Sequence, residues 1–168
     1  MLAVGCKKAM DKASMFEQAR SLAAGAKIIV DSDGVRDGER VLKPSSPVIL
    51  SCALSIEISL KLLAFHETGT AAKGHRLDAI FNGLPQQVRQ RIEVHVEAEL
   101  GEEFVSGLTT ELQKHSDIFV AWRYAYESGS SLECSPSFLY SFAHCLSIFV
   151  ENNYLFERND NGWLVLDA

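Results

Sequence analysis

From Pro47 to His66 the sequence reads PVILSCALSIEISLKLLAFH, apolar on nearly every side. A helix without a polar face has two environments open to it, a bilayer or a jacket of other helices. Glu57 and Lys61 separate the two. Near the middle of a lone bilayer span, a charged side chain costs about 2.5–3.5 kcal/mol. Inside a bundle the two residues, four apart with the acid first, pair with each other on one helix face. The stretch therefore predicts a buried helix at the centre of an all-α protein. Ser46 is its expected N-cap and Pro47 its first residue, where a missing N–H costs nothing. Ser51, Ser55 and Ser59 form a small-residue edge along which another helix can approach closely.

The rest of the chain supplies the jacket. Ser14 and Glu17 have the spacing of a capping box, and Met15, Ala19, Leu22, Ala26 and Ile29 follow as one apolar stripe. The run DSDGVRDGERVLKPSS reads as a polar surface connection. Its Asp31 and Asp33 open like a calcium loop, but Val35 and the missing twelfth-position Glu break that pattern. Leu77, Ile80, Phe81 and Leu84 mark a short helix, and Pro85 opens the next, striped by Val88, Ile92, Val96 and Leu100 up to Gly101. A further stripe runs from Phe104 through Leu108, Leu112, His115, Phe119 and Trp122 to Tyr126. Ser116 or Asp117 is placed to divide it. Ser135-Pro136 starts the last helix, whose apolar face carries Phe138, Phe142, Leu146 and Phe149. Near the C-terminus, Asn161-Gly162 between two short apolar stretches predicts a small β-hairpin over about 154–166, with KIIV at 27–30 as a possible third strand. The expected architecture is a single domain over 1–168, an antiparallel four- to five-helix bundle with that hairpin.

Composition narrows the function classes. At 168 residues and 47% hydrophobic, one sizeable core is available. A formal charge of −6 gives no general electrostatic hold on a nucleic-acid backbone, so any RNA contact must be local. Cys6, Cys52, Cys134 and Cys145 form no CxxC pair and are expected to be reduced thiols in a cytoplasmic protein. The apolar run before Cys6 is far shorter than a secretory signal core. There is no P-loop, GxGxxG or HExxH, and His66, His75, His95, His115 and His144 include no i, i+4 pair. No metal or cofactor is therefore expected. His75, after Gly74, is placed to secure a helix start or to meet a ligand. His115, on an apolar stripe, is expected to be a satisfied core histidine.

The segment SIEISLKLLAFHETGTAAKGHRLDAIFNGLP, followed by HSDIFVAWRYAYE, resembles the HEPN superfamily of small helical bundles over roughly residues 45 to 150. The shared features are an acid four before a lysine on a buried helix, a Gly-His-x-Leu helix start, a Leu-Pro boundary and a later Trp-Arg-Tyr segment. The resemblance implies a homodimer in a defence or stress system such as a toxin–antitoxin pair, with a nucleotidyltransferase as a possible partner. Many members of that superfamily cut RNA with an Arg followed four to six residues later by a His near the start of the last core helix. Here SPSFLYSFAHCLSIFVENN has no arginine, and the RNDNGW beyond it has no histidine. Arg89 and His95 have the spacing, at a frequency chance supplies, and they lie too early in the chain. The expected function is a non-catalytic module that binds a partner protein or a nucleotide-like ligand through Glu57, Lys61, His75, Arg123 and Glu127. The same five residues also suit a purely structural polar cluster. A metal-independent endoribonuclease using Arg89 and His95 is the alternative.

Overall fold

The computed structural model describes residues 11–32, 34–37, 40–42, 45–123, 134–154, 156–158 and 164–166. Among them are seven helices: α1 (Lys12–Asp31), α2 (Ser45–Thr68), α3 (Leu77–Asn82), α4 (Gln86–Leu100), α5 (Glu102–Lys114), α6 (Ile118–Arg123) and α7 (Pro136–Asn153). The protein is all-helical in its core. Two ladders of three-residue strands accompany the helices. β1 (Val35–Asp37) pairs antiparallel with β2 (Arg40–Leu42), and β3 (Phe156–Arg158) with β4 (Leu164–Leu166).

α2 is the central element and packs against α1, α3, α6 and α7. Ile49, Cys52, Ile56, Leu60 and Leu63 are sealed from solvent on one side, while Ser55 and Ser59 are sealed on another. The serine edge meets α1, whose facing residues are Ala19, Ala23 and Ala26. Small side chains on both helices let the backbones approach, and Ser55 Oγ donates to Ala19 O across the gap at 2.8 Å. α2 is long and apolar enough to cross a bilayer, and 67% of that stretch is buried inside the protein.

The remaining helices join the bundle through α3 and α7. α4 lies between α5 and α7, and its Val88, Ile92 and Val96 are buried as their spacing requires. Gly101 separates α4 from α5 with φ +91, a backbone region that side-chain-bearing residues rarely adopt, so the chain can turn sharply there. Ser135 caps α7 by accepting from Phe138 N, with Pro136 in the first turn. Phe104, Phe138 and Phe142 stack in succession at centroid distances of 5.3 and 5.8 Å, joining α5 to α7.

Several boundaries differ from the sequence expectation. α1 begins at Lys12, capped by Asp11, whose carboxylate accepts from Ala13 N at 3.1 Å. Ser14 instead bonds Asp11 rather than capping the helix. α2 begins at Ser45, so Ser46 is inside it. KIIV belongs to α1 and joins no sheet. The connection after α1 contains the β1–β2 ladder, where a plain loop was expected. The stripe through His115 is broken, because α5 stops at Lys114 and α6 starts at Ile118. The turn at Asn161-Gly162 lies outside the described residues.

Candidate functional site

Three of the five residues expected to form a polar cluster meet at one carboxylate oxygen. On α2, Glu57 and Lys61 share a face one turn apart, and Lys61 Nζ donates to Glu57 Oε1 at 2.8 Å. The chain then leaves α2, passes Gly74 with φ +82 and brings His75 back over the same carboxylate. His75 Nδ1 lies 2.9 Å from Glu57 Oε1. A carboxylate only accepts, so Nδ1 carries the proton, and in the neutral ring Nε2 keeps its lone pair. His75 therefore fastens the entry of α3 to α2 through a side chain; the N-cap position of α3 itself is Arg76.

Exposure grades outward through this group. The Glu57 side chain is 5% exposed, Lys61 20% and His75 60%. A buried acid thus holds a half-buried ammonium and an imidazole at the surface. Both donors converge on Oε1, and Oε2 is buried without a hydrogen-bond partner. Such an atom costs about 1–3 kcal/mol in lost hydration. Arg123 is the last residue of α6, which packs on α2. Its side chain and all of Glu127 lie outside the described residues.

Beside His75 is a clamp that the sequence did not single out. Arg76 Nη2 donates to Asp78 Oδ2 at 3.0 Å, Ser116 Oγ donates to Asp78 Oδ1, and Leu77 N donates to Ser116 O at 3.2 Å. The start of α3 is thereby tied to the turn between α5 and α6. The Ser116 hydroxyl, with Arg76 behind it, holds the Asp78 carboxyl below its ordinary value of 3.8 although partial burial opposes this. The available signal was an acid in the first turn of a short helix.

His115 is a core residue with both ring nitrogens engaged. Nδ1 lies 2.8 Å from Glu111 O, and Nε2 accepts from Ser135 N at 2.8 Å. A carbonyl on one side and an N–H on the other fix the neutral tautomer with the proton on Nδ1. The ring stacks on Phe138 at 5.4 Å. It joins the end of α5 to the start of α7 and offers no atom to a ligand.

Arg89 and His95 both lie on α4. Six residues at 3.6 per turn place them about 120° apart around the helix and about 9 Å along it. His95 lines a groove between α4 and α7, and Arg89 is not among the residues lining that groove. No group of three or more His, Cys, Asp or Glu among the described residues is placed to hold a metal ion. Burial pushes the thiols of Cys52 and Cys145 up, to about 11 and about 12, which keeps them protonated. Cys134 is also free, and Cys6 lies outside the described residues. No family model, curated protein or solved structure matches this chain.

Proposed function

We propose that the chain is a non-catalytic, HEPN-like helical module of the cytoplasm that binds a nucleotide-like ligand at the Glu57–Lys61–His75 cluster. It works as a homodimer in a defence or stress system with a nucleotidyltransferase as partner. The family assignment rests on the residue pattern from Ser55 to Glu127 given above.

One observation carries the binding site. Glu57 is buried, yet its two donors crowd one oxygen and leave the other unpartnered, while one of those donors, the His75 imidazole, is 60% exposed. A cluster that served only to lock helices together would satisfy both oxygens, because a half-satisfied buried carboxylate is a net cost. In the proposed complex, the exposed His75 Nε2 and the Lys61 ammonium meet the polar edge and the phosphate of the ligand. Glu57 holds both groups in position.

Calorimetric titration with AMP, ADP and ATP tests this. Saturable binding is expected for at least one of the three, with loss of binding in His75→Ala and Glu57→Met while the helical signal persists. Absence of binding by all three, or binding unchanged in both variants, would overturn the proposal. Light scattering at twice the 18.5 kDa chain mass is the expected result for the dimer.

A further inference from the structure

A second candidate site lies between α4 and α7 and involves none of the residues of the Glu57 cluster. It is an open groove of about 610 Å³. Its polar lining consists of Arg91, His95, Gln87, Gln90 and Asn153, and its apolar lining includes Val94 and Phe149. In a protein with 22 acidic residues and a charge of −6, no carboxylate among the described residues lines it.

Arg91 is the organising group. Its Cζ lies 5.7 Å from the centre of the Phe149 ring and 5.8 Å from that of Tyr154. Its Nη2 donates to Asn153 Oδ1 at 2.9 Å. The Asn153 amide is itself oriented, since Nδ2 donates to Phe149 O at 2.8 Å. Tyr154 is fixed in turn by donating its hydroxyl to Glu67 Oε1 at 2.8 Å and by the edge of His66 at 4.7 Å. Arg20 and Arg76 pair with carboxylates; Arg91 has only neutral partners and forms no ion pair among the described residues. A guanidinium carries five donors, so most of its capacity remains for something else. Two nearby features have the same unfilled character. His95 Nε2 is buried without a hydrogen-bond partner, and Val94 is 67% exposed in the groove wall.

We infer that this groove binds a small organic anion with a flat apolar body. The carboxylate or phosphate head sits on the Arg91 fork, and the body lies against Val94 and Ala98, with the buried Phe149 ring backing the arginine. A guanidinium held beside two aromatic rings and bonded to the Asn153 amide oxygen has already lost part of the rotamer freedom that binding would otherwise cost, and its fork matches a planar carboxylate or a phosphate edge. The groove volume falls in the range of small-ligand sites.

The test is amide chemical-shift mapping on the full chain with benzoate, phenyl phosphate, benzyl alcohol and inorganic phosphate. Benzoate or phenyl phosphate should shift amides of residues 87–98 and 149–154 saturably, with a dissociation constant at or below about 1 mM. Benzyl alcohol, lacking the charge, and inorganic phosphate, lacking the body, should each bind at least roughly tenfold more weakly. Arg91→Gln should weaken the aryl anion by a similar factor. Should that variant not fold, Arg91→Lys keeps the charge but loses the planar fork, and the same weakening is expected. No saturable shift from either aryl anion, equal binding of benzyl alcohol, or affinity unchanged in the Arg91 variant would overturn the inference. The nucleotide titration is judged by its loss in the His75 and Glu57 variants, residues that do not line this groove, so either site can fail without the other.

Discussion

Replacing Lys61 and Glu57 separately by Met separates a buried acid that depends on its partners from one that acts as the keystone of the fold. Removing one member of a buried ion pair costs about 3–5 kcal/mol, because the other charge is left without compensation. Lys61 retains 20% exposure and His75 still donates to the same oxygen, so the cost of Lys61→Met falls to about 1.5–2.5 kcal/mol. For a domain of 168 residues a loss near 2 kcal/mol lowers Tm by about 4–8 °C. Glu57→Met behaves differently. It removes the charge and the unpartnered Oε2 together, and a Met fills the same space. Lys61 can then run its stem along apolar surface to water, and the 60% exposed His75 ring is rehydrated. Stability should stay within about 1 kcal/mol of the parent.

The double variant Glu57→Met/Lys61→Met should match Glu57→Met alone, giving a coupling close to the whole cost of the lysine change. Urea unfolding followed at 222 nm measures all four proteins. Lys61→Met as harmless as Glu57→Met would refute the account, since Glu57 would then not depend on its ammonium partner. A loss above about 3 kcal/mol in Glu57→Met would instead make the cluster a structural lock.

Three further outcomes are expected. The Asp78 carboxyl is held below its ordinary value of 3.8, so it contributes stability above that pH and loses it as pH falls through the lowered value; the stability gap between parent and Asp78→Asn should be full at neutral pH and close on acidification, as followed by thermal melts. His115→Leu strands Ser135 N–H and should cost about 1–3 kcal/mol in denaturant unfolding, with amide exchange rising first at the start of α7. Gly101→Ala meets no neighbour within 4 Å, so its cost is backbone strain alone at φ +91, about 1–3 kcal/mol in the same assay.

What could be read from the sequence divides along the range of the interaction that fixes each feature. Val88, Ile92 and Val96, or Phe138, Phe142 and Phe149, announce a helix because helical spacing alone aligns them, and all are buried. Ser135-Pro136 announces a start because the cap bonds a neighbour three residues on. The start of α1 was misplaced at Ser14 because Asp11 is an equally good local cap and takes the bond instead. The β1 and β2 segments are too short for an alternating pattern to register. The break at His115 could not be decided locally, since it is held by Ser135, twenty residues away.

The candidate site follows the same division. Glu57 and Lys61 pair through helix geometry, and the sequence spacing shows it. That His75 returns to the same oxygen depends on the reversal after Thr68, where Gly69 and Gly74 take positive φ. Arg91, by contrast, is one surface arginine among eight until Phe149, Asn153 and Tyr154 arrive from α7 and its C-terminal end. Its role is created wholly by tertiary packing. Substitutions that loosen the packing of α7 on α4 should therefore erase the Arg91 groove while leaving Glu57 and Lys61 paired, because one site is assembled across elements and the other is half built within a single turn of helix.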